Sequence, residues 1–145
     1  MTRSALSKVV GAALVALIAG ALASSASAAG GIHKFFFGPA GTNTDCEVAA
    51  AVPGLGTYAY CVVEGTNMPA SKVASVTMSA NGKLRICKGG ACGSDAPEQT
   101  PTLKVGQSVN AAPFRCTGLP TGTICVVVKT GAGFLIDTSG VTRLS

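Results

Sequence analysis

Lys72-Val73-Ala74-Ser75-Val76-Thr77-Met78-Ser79-Ala80-Asn81-Gly82-Lys83-Leu84-Arg85-Ile86-Cys87 holds two alternating runs around an Asn-Gly turn. Alternation is the signature of a half-buried strand, and Asn-Gly between two such runs marks a hairpin. The register can be worked out. A two-residue loop would set Met78 opposite Arg85 and Ala80 opposite Lys83, mixing apolar and charged residues on one face. A three-residue loop, Ala80-Asn81-Gly82 with Gly82 in a left-handed bulge, sets Met78 opposite Leu84 and Val76 opposite Ile86. Thr77 then faces Arg85 and Ser79 faces Lys83. Opposed residues share a face, so only the second register separates core from solvent.

The same texture extends outward. Glycine and proline recur every few residues, and Val, Thr, Ile, Phe and Tyr fill the segments between them. The spacing predicts strands at His33–Phe37, Cys46–Ala50, Thr57–Val63, Lys72–Ser79, Lys83–Cys87 and Thr102–Val105. Further strands are expected at Ser108–Asn110, Phe114–Cys116, Thr123–Lys129, Phe134–Asp137 and Thr142–Leu144. Gly89 to Pro101 reads as the longest loop. Many short strands with turns between them imply an all-β domain, a small disulfide-stapled sandwich or barrel. Its expected core is Phe37, Val62, Val76, Met78, Leu84, Ile86, Phe114, Val127 and Ile136.

Ahead of this domain stands an export signal. Arg3 and Lys8 precede an apolar run from Val9 to Ala23, and Ala26-Ser27-Ala28 fits a small-residue cleavage site. The run is about 15 residues, short of the ~20 that span a bilayer. Residues 1–28 are therefore expected to be removed, leaving 29–145 as one secreted domain without stable membrane insertion.

Six cysteines in a short exported chain imply three disulfides. Cys46 and Cys61 bracket Pro53-Gly54-Leu55-Gly56, and Cys116 and Cys125 bracket Gly118-Leu119-Pro120-Thr121-Gly122. Val-Val follows the second cysteine of each pair, an echo that either duplication or chance explains. Antiparallel neighbours bring flanking cysteines within bridging distance, which favours Cys46–Cys61, Cys87–Cys92 and Cys116–Cys125. The leading rival joins Cys61 to Cys125.

Charge and chemistry then exclude several classes. Without Arg3 and Lys8 the chain carries nine Lys+Arg against six Asp+Glu. Only Lys83, Arg85 and Lys88 cluster, as on a solvated strand face, so no nucleic-acid surface is expected. His33 is the one histidine, placed at a strand start where a surface role outweighs a catalytic one. Cys87-x4-Cys92 is not a typical zinc spacing. Asp45 and Glu47 share one side of a strand and are read as an exposed pair. Lys88-Gly89-Gly90-Ala91 lacks a phosphate-loop signature, and Gly131-Ala132-Gly133 lacks a surrounding βαβ unit. No catalytic residue, cofactor or metal is assigned.

These residues also resemble a family. Phe37-Gly38-Pro39-Ala40-Gly41 with Asn43 and Cys46, then Tyr60-Cys61-Val62-Val63 and Cys92-Gly93-Ser94-Asp95, are similar to the opening and centre of its pattern. Leu103-Lys104-Val105-Gly106-Gln107, Phe114-Arg115-Cys116, Gly122-Thr123-Ile124-Cys125 and Thr130-Gly131-Ala132-Gly133-Phe134 complete it. The family is one of small, secreted, disulfide-containing actinobacterial proteins, a domain of unknown function. The resemblance implies secretion, disulfides and a β-rich domain, and transfers no catalytic residue.

The expectation is a monomeric, non-enzymatic secreted protein that binds an extracellular or cell-envelope ligand. Two alternatives stand beside it. One is a protease-inhibitor-like protein offering Lys88–Ala91 or Gly118–Gly122 as an extended loop. The other is a hydrolase using Asp45, Glu47 or Asp95.

Overall fold

Strand follows strand in the computed structural model, which describes residues 31–145 except 66, 67, 94–96 and 98. The expected signal segment and Asp95 lie outside the described residues. The strands are β1 (Ile32–Phe37), β2 (Thr44–Val52), β3 (Gly56–Val63), β4 (Ala74–Ser79) and β5 (Leu84–Lys88). They continue as β6 (Ser108–Ala111), β7 (Phe114–Leu119), β8 (Gly122–Val127), β9 (Gly133–Asp137) and β10 (Gly140–Leu144). Single 3-10 turns occupy Ala70–Lys72 and Gly90–Cys92. Each half of the chain is an antiparallel meander: β1-β2-β3-β4-β5 forms one sheet and β6-β7-β8-β9-β10 the other. The two stack as a sandwich, with β6 against β1 and β2, and β9 and β10 against β3 and β4.

The β4–β5 hairpin takes the three-residue loop. Met78 opposes Leu84, Thr77 opposes Arg85 and Val76 opposes Ile86. Ser79 N–H donates to the Lys83 carbonyl at 3.0 Å, and Gly82 sits at φ 82°. The positive φ explains why glycine ends this loop.

All three cysteine pairs are local: Cys46–Cys61, Cys87–Cys92 and Cys116–Cys125. Cys46 lies directly opposite Cys61 on β2 and β3, and Cys116 directly opposite Cys125 on β7 and β8. Both bridges are buried between the sheets, and Cys61 Sγ is 3.9 Å from Cys125 Sγ. The rival pair is thus in contact but unbonded. The bridges do more than brace hairpins, because their sulfurs form part of the contact between the sheets.

Phe36, Phe114 and Phe134 supply the largest buried rings, with Val48, Val63, Val76, Met78 and Ile136 around them. Three expected core residues fall outside the sandwich core. Phe37 is 37% exposed and Ile86 is 42% exposed. Phe36 opposes Cys46 on the inner side, so its neighbour Phe37, opposite Asp45, must face out. Ile86 has inner-face parity, but β5 is an edge strand beyond the part of the sheet on which β9 and β10 chiefly sit. Leu84 is partly buried for the same reason. Val62 is fully buried but on the opposite side of β3 from the sandwich core.

Thr102–Val105 is not a strand. Thr102 makes one parallel bridge to Phe37, and Leu103 N–H donates to the Phe37 carbonyl at 2.9 Å. A turn closed from Gln107 N–H to the Lys104 carbonyl then ends the pairing. β8 stops at Val127 rather than running to Lys129, because Thr130 and Gly131 N–H groups turn back onto the Val127 carbonyl.

A chain of buried hydroxyls crosses the sandwich. Thr42 Oγ1 donates to the Pro39 carbonyl at 2.8 Å and lies 3.0 Å from Thr44 Oγ1, itself 3.0 Å from Thr123 Oγ1. Gly38 sits against this chain, where an added Cβ would fall 1.8 Å from Thr44 Oγ1. Glycine here provides close approach rather than an unusual backbone angle.

Candidate functional site: the outer face of the first sheet

Strand register places the chemistry. Residues directly opposed across strands share a face. One row on the outer face of the β1–β5 sheet reads Phe35, Glu47, Tyr60, Thr77 and Arg85. The next reads His33, Ala49, Tyr58 and Ser79, with Lys83 beside Ser79. This face therefore collects both tyrosines of the chain and its single histidine.

A third row, Phe37, Asp45, Val62, Ser75 and Cys87, runs under a wall. The Cys87–Cys92 bridge holds the Gly90–Cys92 turn against β4 and β5. Tyr60 fastens it with a hydroxyl donated to the Cys92 carbonyl at 3.0 Å. Val62 and Ser75 are buried in this row. The two remaining rows form a shelf beside the wall, exposed at His33, Lys83 and Arg85, half-buried at Phe35, Glu47, Tyr58, Tyr60, Thr77 and Ser79, and fully buried at Ala49.

Glu47 is the polar centre of the shelf. His33 Nε2 lies 2.6 Å from Glu47 Oε1, the two side chains being 30% and 21% exposed. A carboxylate only accepts, so Nε2 carries the shared proton. The Tyr58 hydroxyl donates to the same Oε1. Burial first, then the hydrogen bond and the charge of Glu47, push the Tyr58 hydroxyl up to about 12. Tyr58 is thus a neutral donor throughout the physiological range. The His33 and Phe35 rings meet at 4.6 Å between centroids, tilted by 50°.

Arg85 and Lys83 stand exposed on the β5 side of the shelf. Lys88 is also exposed but has inner-face parity, opposite Ala74, so the sequence cluster divides between two faces. Lys34 likewise has inner parity on edge strand β1, and its Nζ donates to the Asn110 carbonyl at 3.1 Å. Inward-pointing charges on edge strands discourage pairing with another sheet.

Neither carboxylate of the expected exposed pair is exposed: Asp45 is buried in the covered row and Glu47 is half-buried. His33 is a surface residue, as its position suggested, but its partner on the next strand was not foreseen. A signal existed only for the neighbouring pair on β2 and β3. Once Cys46 is set opposite Cys61, Glu47 must face Tyr60.

Among the described residues, no cluster of three His, Cys, Asp or Glu side chains could hold a metal ion. A cleft of about 340 Å³ opens at one end of the sandwich, between Phe37, Pro39, Asn43, Asp45, Glu64 and Thr102. Gly118–Gly122 is a tight hairpin turn, Leu119 pairing with Gly122, and Gly90–Cys92 is a 3-10 turn. No helix among the described residues is long and apolar enough to cross a membrane.

No family model, curated protein or solved structure matches the chain.

Proposed function

We propose that the chain is a secreted, non-enzymatic binding module that presents the outer face of the β1–β5 sheet to an extracellular or cell-envelope ligand. The observation that carries this reading is the gathering of His33, Phe35, Tyr58 and Tyr60 around Glu47 on one face. Aromatic side chains with polar tips combine contact area with directional hydrogen bonds, and they are favoured where ligands dock. The face combines aromatic rings with hydroxyl, imidazole and carboxylate groups, a mixture that suits recognition. Both donors on Glu47 meet one carboxylate oxygen, and among the described residues the one side-chain hydrogen bond of His33 is to Glu47. Three disulfides and the export signal support an oxidising, extracellular setting. The resemblance to small secreted actinobacterial proteins points the same way. The module acts as a monomer after removal of residues 1–28.

The test is co-sedimentation of the oxidised protein with cell envelopes of the producing organism. Changing Tyr58→Ser and Tyr60→Ser together should reduce the bound fraction at least about tenfold, while Thr117→Ala on the other sheet leaves it unchanged. Equal loss from both variants, or from neither, contradicts the reading.

A further inference from the structure

We infer that the ligand of this face is an acidic polysaccharide, with sugar rings on Phe35, Tyr58 and Tyr60 and carboxylates on Arg85 and Lys83. The inference rests on the binding-module reading above and names its ligand class.

The shape of the shelf argues for a linear chain. Its long row crosses five strands, roughly 19 Å at ~4.8 Å per strand, and the flanking strands β1 and β5 are both sheet edges. A polymer can lie across such a row and continue past either end. The Gly90–Cys92 turn bounds one side and gives the chain a direction to follow.

The side chains argue for sugar. Tyr58 is tied to Glu47 and Tyr60 to the Cys92 carbonyl, so both rings are held before a ligand arrives. Fixed rings offer their faces to the C–H surface of a sugar at little cost in side-chain entropy. Glu47, Thr77 and Ser79 stand between and beside them, where sugar hydroxyls need partners. These two rows contain no Leu, Ile, Val or Met. Tyrosine and arginine also anchor protein partners, so the peptide arm of the titration below decides between the two occupants.

The charges argue for acid on the sugar. Arg85 and Lys83 are exposed on this face, and among the described residues neither forms a salt bridge. Glu47 lies three strands from Arg85, roughly 14 Å away, and is engaged by His33 and Tyr58. That separation exceeds the ~8 Å screening length of physiological salt, so Glu47 does not repel an anion held at Arg85. Arginine also presents a planar fork matched to a carboxylate.

The experiment is calorimetric titration of the oxidised protein with polygalacturonate, its methyl-esterified form and polyglutamate. The ester keeps the rings and loses the charge, while the peptide keeps the charge and loses the rings. Polygalacturonate should bind at least about tenfold more tightly than either. Tyr60→Ser should weaken it at least about tenfold, and Tyr58→Phe, which keeps the ring, by no more than about threefold. Arg85→Ala and Lys83→Ala should each weaken it about three- to tenfold and flatten its salt dependence. Circular dichroism of each variant verifies folding, and Tyr58→Phe guards against a variant that loses the sheet. Equal binding of polyglutamate means a generic anion site and overturns the inference. Equal binding of the ester overturns the acidic part and, with it, the assignment to Arg85 and Lys83. Absence of polygalacturonate binding by folded protein also overturns it. If envelope sedimentation still depends on Tyr58 and Tyr60 in that case, the binding-module reading survives alone; if it does not, both fail.

Discussion

Cys46–Cys61 and Cys116–Cys125 hold equivalent places in two sheets of the same topology, each joining the second strand to the third. Beside them on the inner faces, Phe36 and Val76 flank one bridge and Val109 and Phe134 the other. Moving one residue along reverses the likeness. After Cys46, Glu47 faces Tyr60; after Cys116, Thr117 faces Ile124. Their outer neighbours are Phe35 in the first sheet and Ser108 in the second. The inner faces are alike because both must fill one core with disulfides and large apolar side chains. The outer faces are free of that demand, and only the first has gathered aromatic rings, a histidine and a carboxylate. Shared architecture sets stability, and the proposed binding role rests on the difference between the outer faces.

The sharpest test of the inner likeness removes its largest side chains. Phe36→Ala and Phe134→Ala should each cost about 3–5 kcal/mol in urea unfolding, because each empties a fully buried site. A cost below about 1 kcal/mol for either would show that one sheet does not share the core. Gly38→Ala should be comparably damaging, since its Cβ would meet Thr44 Oγ1 at 1.8 Å and Thr123 Oγ1 at 2.8 Å. It breaks the hydroxyl chain that ties the sheets together.

The bridges come next. Replacing Cys46 and Cys61 by alanine should cost roughly 3 kcal/mol on the loop-entropy model, and replacing Cys116 and Cys125 somewhat less, in keeping with its shorter loop. Changing Cys46 alone should have a further effect. It frees Cys61 at 3.9 Å from Cys125 Sγ. The Cys61 thiolate can attack Cys125 and release Cys116 as a thiolate, giving a Cys61–Cys125 bridge. Non-reducing peptide mapping of Cys46→Ala should find that crossed bridge. An intact Cys116–Cys125 bridge with free Cys61 throughout would break the proposed contact between the halves.

How much of this was legible in the sequence varies from place to place. The β4–β5 register was legible because Val76, Met78, Leu84 and Ile86 separate cleanly from Thr77, Ser79 and Arg85. Phe35-Phe36-Phe37 defeated the same method, since three consecutive rings give no alternation and parity is set by the partner Cys46. Ile86 followed the alternation correctly and still ended exposed, because strand order at a sheet edge is a tertiary fact. The shelf was the least legible feature. His33, Glu47 and Tyr58 lie on three strands, and two registers must be known before they meet. The cysteine pairing supplied one of those registers; the β1–β2 register had no such marker.

A smaller effect concerns Tyr58. Its folded pKa is raised to about 12 from the ordinary 10.0. A raised value stabilises the fold fully below pH 10, and that contribution is lost as pH climbs through 12. Tyr58→Phe should therefore cost about 1 kcal/mol near neutrality, the worth of a half-exposed hydrogen bond. The gap from the wild type should close between pH 10 and 12. A gap that persists unchanged above pH 12 would show that burial and Glu47 do not raise the Tyr58 hydroxyl. Thr142→Ala, on the outer row of the second sheet, should change stability by less than about 0.5 kcal/mol and binding not at all.

The most direct measurement of functional asymmetry between the sheets is a chemical-shift map of the oxidised protein titrated with solubilised envelope polysaccharide. The account predicts shifts confined to His33, Phe35, Glu47, Tyr58, Tyr60, Thr77, Ser79, Lys83 and Arg85, with the second sheet silent. Shifts centred on Thr117, Ile124 and Leu135, or on the cleft between Pro39 and Thr102, would contradict it.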